Sequence, residues 1–165
     1  MTVDALKTWF AAYGALSADI DNAIKRIDAM RAAVETSRVT HFSDMPRGGG
    51  LAADDRIGAQ LAEIEELEEA TRQKIAEGAA LRREYEVAIC KIHSRRTWPD
   101  RRAILRMRYI DLCAWPEICE MMYHEERDYE DRYDTFLRRC HRVHKDALEE
   151  LAEILTGEEV TTDER

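Results

Sequence analysis

The first third of the chain repeats apolar residues at intervals of three and four positions. An α-helix completes one turn in about 3.6 residues, so residues at these intervals line one face of a helix. At about 1.5 Å of rise per residue, the segment predicts an amphipathic helix roughly 50 Å long. The apolar positions are Val3, Leu6, Trp9, Phe10, Tyr13, Leu16, Ile20, Ile24, Ile27, Met30 and Val34.

A second apolar repeat follows a segment that breaks helices. Between residues 40 and 55, Pro46 precedes three glycines, Gly48 to Gly50, and this combination ends a helix. The repeat then spaces its positions by about 3.5 residues on average, which is the heptad period of supercoiled helices. These positions are Ile57, Leu61, Ile64, Leu67, Thr71, Ile75, Gly78, Leu81, Tyr85, Ile89 and Ile92.

Two amphipathic helices joined by a glycine-rich turn predict an antiparallel coiled-coil hairpin over residues 1–93, with its turn at 40–55. Such a hairpin offers a surface for homo-oligomer formation. It should also bury a seam between its helices, in which one set of aliphatic residues faces another. We expect Leu61, Ile64, Ile75 and Ile89 to be buried against Leu16, Ile20, Ile24 and Ile27.

The last part of the chain has shorter elements. Two Trp-Pro pairs, at Trp98 and Trp115, each predict the start of a short helix, because proline suits the first turn. Thr135 is an N-cap candidate for a final helix that runs towards Leu155. The pattern predicts a compact helical domain at 94–155 with an acidic insertion at 123–134, followed by a flexible acidic tail at 156–165.

Composition supports an all-α fold. The 165 residues are 36% charged and include only seven glycines and three prolines, as is typical of long exposed helices. No apolar run approaches the roughly 20 residues that a membrane-spanning helix needs. The first residues lack the basic and apolar regions of a secretory signal, and the four cysteines form no CxxC pair. We therefore expect a cytoplasmic protein without a membrane partner.

Charge is distributed unevenly along the chain. The formal net charge is −9, yet residues 91–108 carry seven Lys and Arg residues against one acid, Asp100. A second basic run lies on the final predicted helix. Clustered Lys and Arg residues on adjoining short helices are typical of proteins that bind the phosphate backbone of nucleic acids. Nucleic acid is therefore the leading candidate partner.

Three short motifs in this region resemble region 4 of sigma-70-type factors, a helix-turn-helix. They are Met107-Arg108-Tyr109-Ile110, Trp115-Pro116-Glu117-Ile118 and Ala147-Leu148-Glu149-Glu150-Leu151. Together with the Met45–Gly50 turn and the acidic coiled-coil segment, they resemble a family of small phage and prophage proteins related to late-gene regulators of the ArpU and RinA type. The resemblance covers most of residues 40–155.

The resemblance implies a phage-type, sequence-specific regulator of transcription that binds double-stranded DNA, in the host cytoplasm if phage-encoded. It also implies host RNA polymerase as a protein partner. The final helix would supply groove and phosphate contacts through Arg138, Arg139, His141, Arg142 and Lys145. The preceding basic helix would clamp the DNA backbone through Arg101, Arg102 and Arg106.

The acidic insertion departs from this family pattern. A helix-turn-helix usually has three to four residues between its last two helices. Here about a dozen intervene, with six acids and three tyrosines. Two arrangements follow: the segment offers its acids and tyrosines to a protein partner, or it folds over Arg138 and Arg142 and lowers DNA affinity.

Two other functions fit the same architecture. A DNA-packaging adaptor of the small-terminase kind also joins a helix-turn-helix to a helical oligomerisation element. A module that inhibits a host protein, using acidic faces without binding DNA, is the other alternative. These functions differ in oligomeric state and in DNA affinity.

The sequence gives little support for a catalytic site or a metal site. Among Cys90, His93, Cys140, His141 and His144, two pairs have i, i+3 spacing that a zinc site could use, Cys90 with His93 and His141 with His144, but such spacings arise by chance. No nucleophile–base pair is evident, and no carboxylate lies in an apolar context that would tune its pKa. We expect neither enzymatic activity nor a metal or cofactor.

Overall fold

The computed structural model describes residues 1–40, 50–93 and 98–162, and it describes side chains for 1–36, 56–93 and 99–157. Within these ranges the regular structure is entirely α-helical, which confirms the all-α prediction. The helices are α1 (Val3–Thr40), α2 (Gly50–Cys90), α3 (Trp98–Tyr109), α4 (Trp115–Tyr123) and α5 (Tyr133–Thr162). The predicted glycine-rich turn lies mostly outside the described residues. None of the described helices combines the length and apolarity that a bilayer crossing requires.

Contacts divide the chain into two units. The first, called here the compact unit, contains residues 1–15 and 80–165; the second, the paired-helix unit, contains residues 16–79. Long helices α1 and α2 therefore contribute to both. Each unit has its own buried apolar cluster.

In the paired-helix unit, α1 and α2 pack side by side. Ile27 and Val34 of α1 and Ile64 of α2 form its buried cluster, with Met30, Ile57 and Leu67 partly buried around them. Burial recurs every seven residues along α2, at Ile64, Thr71 and Gly78, as the heptad pattern predicts.

Ion pairs link the same two helices. Arg26 lies 2.9 Å from Glu63, Arg31 lies 2.7 Å from Glu68, and Lys74 lies 3.7 Å from Asp19. These pairs are solvent-exposed to different extents, and each contributes little to stability by itself. They do fix which positions of α1 and α2 lie beside one another.

The expected seam is only partly correct. Ile27 and Ile64 are buried in the cluster of this unit, and Ile89 is buried in the cluster of the compact unit. Ile24, Leu61 and Ile75 remain 42%, 37% and 48% exposed. A pair of helices covers the central positions of each heptad and leaves the flanking positions open to solvent. The prediction that these three aliphatic side chains are buried within one chain is therefore wrong.

The compact unit has an aromatic centre. Phe10 of α1 stacks on Tyr109 of α3, with ring centroids 4.4 Å apart and planes at 11°. Tyr85 of α2 meets Phe10 edge-on at 4.9 Å, and its hydroxyl donates a hydrogen bond to the Trp9 carbonyl. Phe10 and Tyr85 are fully buried. These rings join α1, α2 and α3 in one core.

Helices α3, α4 and α5 all pack on one another. Trp98 and Trp115 open α3 and α4, which confirms the predicted helix starts. At the start of α4, the Ala114 N–H donates to Glu117 Oε2 at 2.6 Å. The link between α3 and α4 turns at Leu112, whose φ of 56° is unusual for a residue other than glycine.

Helix α5 differs at both ends from the prediction. It begins at Tyr133, two residues before the proposed Thr135 cap, and continues to Thr162, beyond Leu155. Thr156 is held by its neighbours: its hydroxyl donates to the Ala152 carbonyl at 2.8 Å, and the Met1 ammonium donates to it. The predicted flexible tail is thus helical as far as Thr162, and residues 163–165 lie outside the described range.

The aromatic centre predicts a large stability effect. Replacing Phe10 by Ala removes a fully buried ring that contacts both Tyr85 and Tyr109, so we expect a loss of about 3–5 kcal/mol in the free energy of unfolding. Urea denaturation followed by circular dichroism measures it. As a control, Val87→Ala alters a side chain that is 62% exposed and should change stability by less than about 0.5 kcal/mol. Equal effects would contradict the central role of Phe10.

Candidate nucleic-acid interface

Helix α5 has one buried face and one charged face. Phe136, Cys140, Ala147, Leu148 and Leu151 are buried in the compact core, at the three- and four-residue intervals of one helix face. Burial of these residues fixes the rotation of α5 about its axis. The opposite face is consequently held towards solvent.

The exposed face carries a continuous row of basic residues, which we call the basic stripe. It consists of Arg138, His141, Arg142 and Lys145, at positions i, i+3, i+4 and i+7, and all four are exposed. At about 1.5 Å per residue the stripe is about 10 Å long.

Arg139 lies on another side of α5. Its guanidinium stands 5.1 Å from the centroid of the Tyr123 ring, a cation–π contact, and Tyr123 is almost fully buried. This contact attaches α5 to the end of α4. Of the five predicted contact residues on α5, four therefore share the stripe and Arg139 does not.

The predicted arginine clamps of α3 have three different environments. Arg101 pairs with Glu150 and lies 3.9 Å from Asp146, so it joins α3 to α5. Arg102 donates to the carbonyls of Cys90 and Ile92 at the end of α2. These bonds satisfy carbonyls that a helix end leaves without partners. Arg106 is exposed on the last turn of α3.

Trp115, the first residue of α4, lies beside the stripe. Its ring centroid is 4.2 Å from that of His141 and 5.0 Å from that of His144, and the Arg108 guanidinium lies 5.2 Å from it. Arg108 also donates to the Cys113 carbonyl at 3.0 Å. The sequence predicted Trp115 as the start of a helix but not its contact with His141. A Trp at a helix start gives no signal for such a contact.

His144 connects the stripe to the core. Its Nε2 atom lies 3.0 Å from the Tyr109 hydroxyl. Burial, together with the nearby charges of Arg108, His141 and Lys7, lowers the pKa of His144 to about 4. The imidazole is therefore neutral at physiological pH. His141 remains the exposed histidine of the pair.

The acidic insertion borders the amino-terminal end of the stripe. Residues 124–132 form successive turns between α4 and α5, and Asp134 lies one helical turn before Arg138. Its tyrosines point towards the protein: Tyr129 contacts Tyr133 and Phe136, with centroids 5.9 Å apart in each case. The acids remain exposed, but the tyrosines belong to the core of the chain itself.

The residues considered for zinc do not converge. Cys140 is fully buried, and burial raises the pKa of its thiol to about 12. His141, the next residue, is exposed on the stripe. Among the residues that the structure describes, no three His, Cys, Asp or Glu side chains come close enough to hold a metal ion.

The low pKa of His144 makes stability depend on pH. The unfolded chain titrates near the ordinary value of 6.5, and the folded protein near 4. Between these values only the unfolded chain binds the proton, so the free energy of unfolding falls as the pH drops from about 6.5 to 4. We expect a loss of up to about 3 kcal/mol, measured by urea denaturation at several pH values.

A His144→Gln variant is the control for this measurement. Glutamine cannot titrate in this range, while the carboxylates contribute equally to both proteins. The pH profile of the parent protein should therefore be steeper than that of the variant between pH 6.5 and 4. Profiles of equal slope would contradict the lowered pKa.

Comparisons of the chain with protein families, with curated proteins and with solved structures found no match.

Proposed function

We propose that this protein is a sequence-specific regulator of transcription that binds double-stranded DNA through α5. The single observation that supports it is the basic stripe, because a chain of net charge −9 keeps four adjacent basic positions exposed on one helix face. Excess positive charge on an exposed helix attracts the phosphate backbone and releases counterions. In this proposal α4 and α5 form the helix-turn-helix, and α1 and α2 form an antiparallel hairpin.

The stripe provides both kinds of contact that recognition requires. Arginine can donate two hydrogen bonds to the edge of guanine, and lysine can neutralise a phosphate. We assign base contacts to Arg138 and Arg142, whose side chains are separated by one helical turn. Lys145 and Arg106 are assigned to phosphates. His141, resting against Trp115, presents its ring nitrogens at the centre of the stripe.

Arg101 and Arg102 have a different role in this proposal. Their guanidinium groups already bond to carboxylates and carbonyls of the chain. Reassigning them to DNA would leave Glu150 and the end of α2 without those bonds, which costs stability. We therefore assign them to holding α3 on α5 and on α2, and only Arg106 to the backbone clamp.

Salt dependence tests the proposal. If Lys145 and Arg106 neutralise about two phosphates, log K should fall with log salt with a slope of about −2. Fluorescence anisotropy with a duplex of random sequence measures the slope. Selection from a random pool of duplexes should in addition enrich a defined motif. An affinity that does not respond to salt, or a pool without enrichment, would contradict the proposal.

Two arginine variants distinguish a residue that contacts DNA from a residue that stabilises the fold. Arg142→Ala should weaken DNA binding and reduce the steepness of the salt slope by about one, at unchanged thermal stability, if Arg142 contacts phosphate. If it contacts a base, the variant should relax the enriched motif. Arg101→Ala should lower thermal stability because Glu150 loses its partner. The folded Arg101→Ala protein should keep the salt slope of the parent protein. A reduced slope would mean that Arg101 contacts DNA.

The acidic insertion should limit DNA affinity at low salt. Its exposed acids precede the stripe along the chain, Asp134 by one helical turn, and their repulsion of phosphates extends over about 10 Å at 0.1 M salt. We expect tighter binding when four of them are neutralised: Asp128→Asn, Glu130→Gln, Asp131→Asn and Asp134→Asn. These changes spare Tyr129 and Tyr133, which pack against Phe136.

A matched variant removes the same charge elsewhere. It neutralises four exposed acids of α1 and α2: Glu35→Gln, Glu66→Gln, Glu77→Gln and Glu84→Gln. The insertion variant should gain more affinity than this control at low salt, and the difference should shrink as salt increases. Equal gains would mean that only the net charge of the chain matters.

A further inference from the structure

The paired-helix unit has an exposed aliphatic row that its own helices do not cover. Ile24, Leu61 and Ile75 are between 37% and 48% exposed, although each belongs to the apolar heptad pattern. Large aliphatic side chains are costly to leave in water. Three of them within one unit of 64 residues, 16–79, therefore raise the question of what covers them.

All three side chains lie on the same side of the helix pair. Arg31 comes four residues after buried Ile27, and Glu68 comes four residues after buried Ile64; these two side chains bond at 2.7 Å. Ile24 lies one heptad before Arg31. Leu61 and Ile75 lie one heptad before and one after Glu68. Residues one heptad apart share a helix side, so the row flanks the Arg31–Glu68 pair.

The order of the three residues along the unit is also defined. Leu61 and Ile75 are 14 residues apart on α2, which corresponds to about 21 Å. The Lys74–Asp19 pair and the Arg26–Glu63 pair bracket Ile24 on α1. Ile24 therefore lies between Leu61 and Ile75, and the row has one aliphatic residue at its centre and one at each end.

A twofold rotation places a row of this kind almost onto itself, because the two end residues exchange places and the central residue stays at the centre. An axis that crosses the unit at the level of Glu68 and Ile24 would place Leu61 of one copy opposite Ile75 of a second copy. The same operation would bring the two Ile24 side chains together. Isologous interfaces require such self-complementary patterns.

Charges on the α2 edge of the row are complementary under the same rotation. Glu65 and Arg72 are exposed there, three residues before and four after Glu68, and Arg72 also lies 2.9 Å from Glu69 of its own chain. The axis exchanges these two levels, so Glu65 of each copy would face Arg72 of the other. The charged pair within the row, Arg31 and Glu68, is already neutralised inside each chain.

We propose that a second copy of this chain covers the row formed by Ile24, Leu61 and Ile75, in an antiparallel, twofold-symmetric dimer. The apolar contact would comprise six aliphatic side chains, with two Glu65–Arg72 ion pairs between the copies. This dimer does not depend on the proposed DNA binding, because every residue that supports it lies in the paired-helix unit.

The α1 edge of the same interface is repulsive. Asp21 and Asp28 lie three residues before and four after Ile24, so the axis places Asp21 of one copy opposite Asp28 of the other. A variant that removes this repulsion should therefore strengthen dimerisation. An Asp28→Lys change converts both contacts into attractive ones and should lower the dimer dissociation constant by about fivefold.

The experiment is sedimentation equilibrium of the full-length protein over a broad concentration series. We expect a monomer–dimer equilibrium that Ile75→Glu weakens at least about tenfold, because the charge would be buried against Leu61 of the partner. Val87→Glu is the matched control: it changes an aliphatic residue of α2 that is more exposed, at 62%, and lies off the row. Circular dichroism establishes that each variant remains helical.

A charge exchange tests the orientation of the copies. Glu65→Arg and Arg72→Glu should each weaken dimerisation, whereas the double variant should restore it to near the parent value. If Glu65 and Arg72 act only within one chain, the double variant should not regain the dimerisation of the parent protein. A protein that stays monomeric at its highest soluble concentration would overturn the proposal. So would a closed ring of more than two copies, a Val87→Glu effect equal to that of Ile75→Glu, or a double variant that fails to recover.

Discussion

Stacking of Phe10 on Tyr109 is the contact on which the compact unit depends. Phe10 comes from the first turns of α1, Tyr109 from the last turn of α3, and Tyr85 of α2 packs against Phe10 edge-on. The series continues through the Tyr109 hydroxyl to His144 of α5, and from His144 to Trp115 of α4. One connected set of rings thus touches all five helices.

This arrangement fixes the direction in which the stripe faces. The rings of Tyr109 and Trp115 contact His144, a residue of α5 between Arg142 and Lys145. Buried contacts on one side of a helix fix the directions of the side chains on its other side. Side chains placed on a rigid element make more specific contacts than side chains on a loop. The lowered pKa of His144 is a consequence of the same burial.

Some basic residues of the chain connect its helices, and others are exposed to solvent. Arg101, Arg102 and Arg108 bond to carboxylates or carbonyls and connect helices, while the stripe and Arg106 face solvent. An arginine can do either, since its planar group presents five donors to carbonyls, carboxylates or phosphates alike. A count of basic residues therefore overstates the number that are free to bind a partner.

Periodicity predicted the helices and their buried faces well, because the burial of apolar side chains determines both. It could not separate Ile64, which is buried, from Leu61, which is not, since both fit the same average repeat. That distinction depends on how far one neighbouring helix reaches around another, which the sequence of a single helix does not encode.

The stripe was predictable for a similar reason. Arg138, His141, Arg142 and Lys145 oppose an apolar face, so helix geometry alone places them outside. The partners of Arg101 and Arg102 were not predictable, because Glu150 and the end of α2 are distant in sequence and come close only through tertiary packing. The inward orientation of Tyr129 has the same cause: Phe136 lies on the following helix.

In the insertion, Tyr129 packs against the core, whereas its acidic neighbours face solvent. A segment with three tyrosines and six acids could present either set to a partner. Packing assigns the tyrosines to the core and leaves the acids exposed, so the outward property of the segment is its charge. Charge of that sign beside the stripe opposes the binding of phosphate at long range. If α5 binds DNA as proposed, the insertion restrains that binding electrostatically, and salt sets the strength of the restraint.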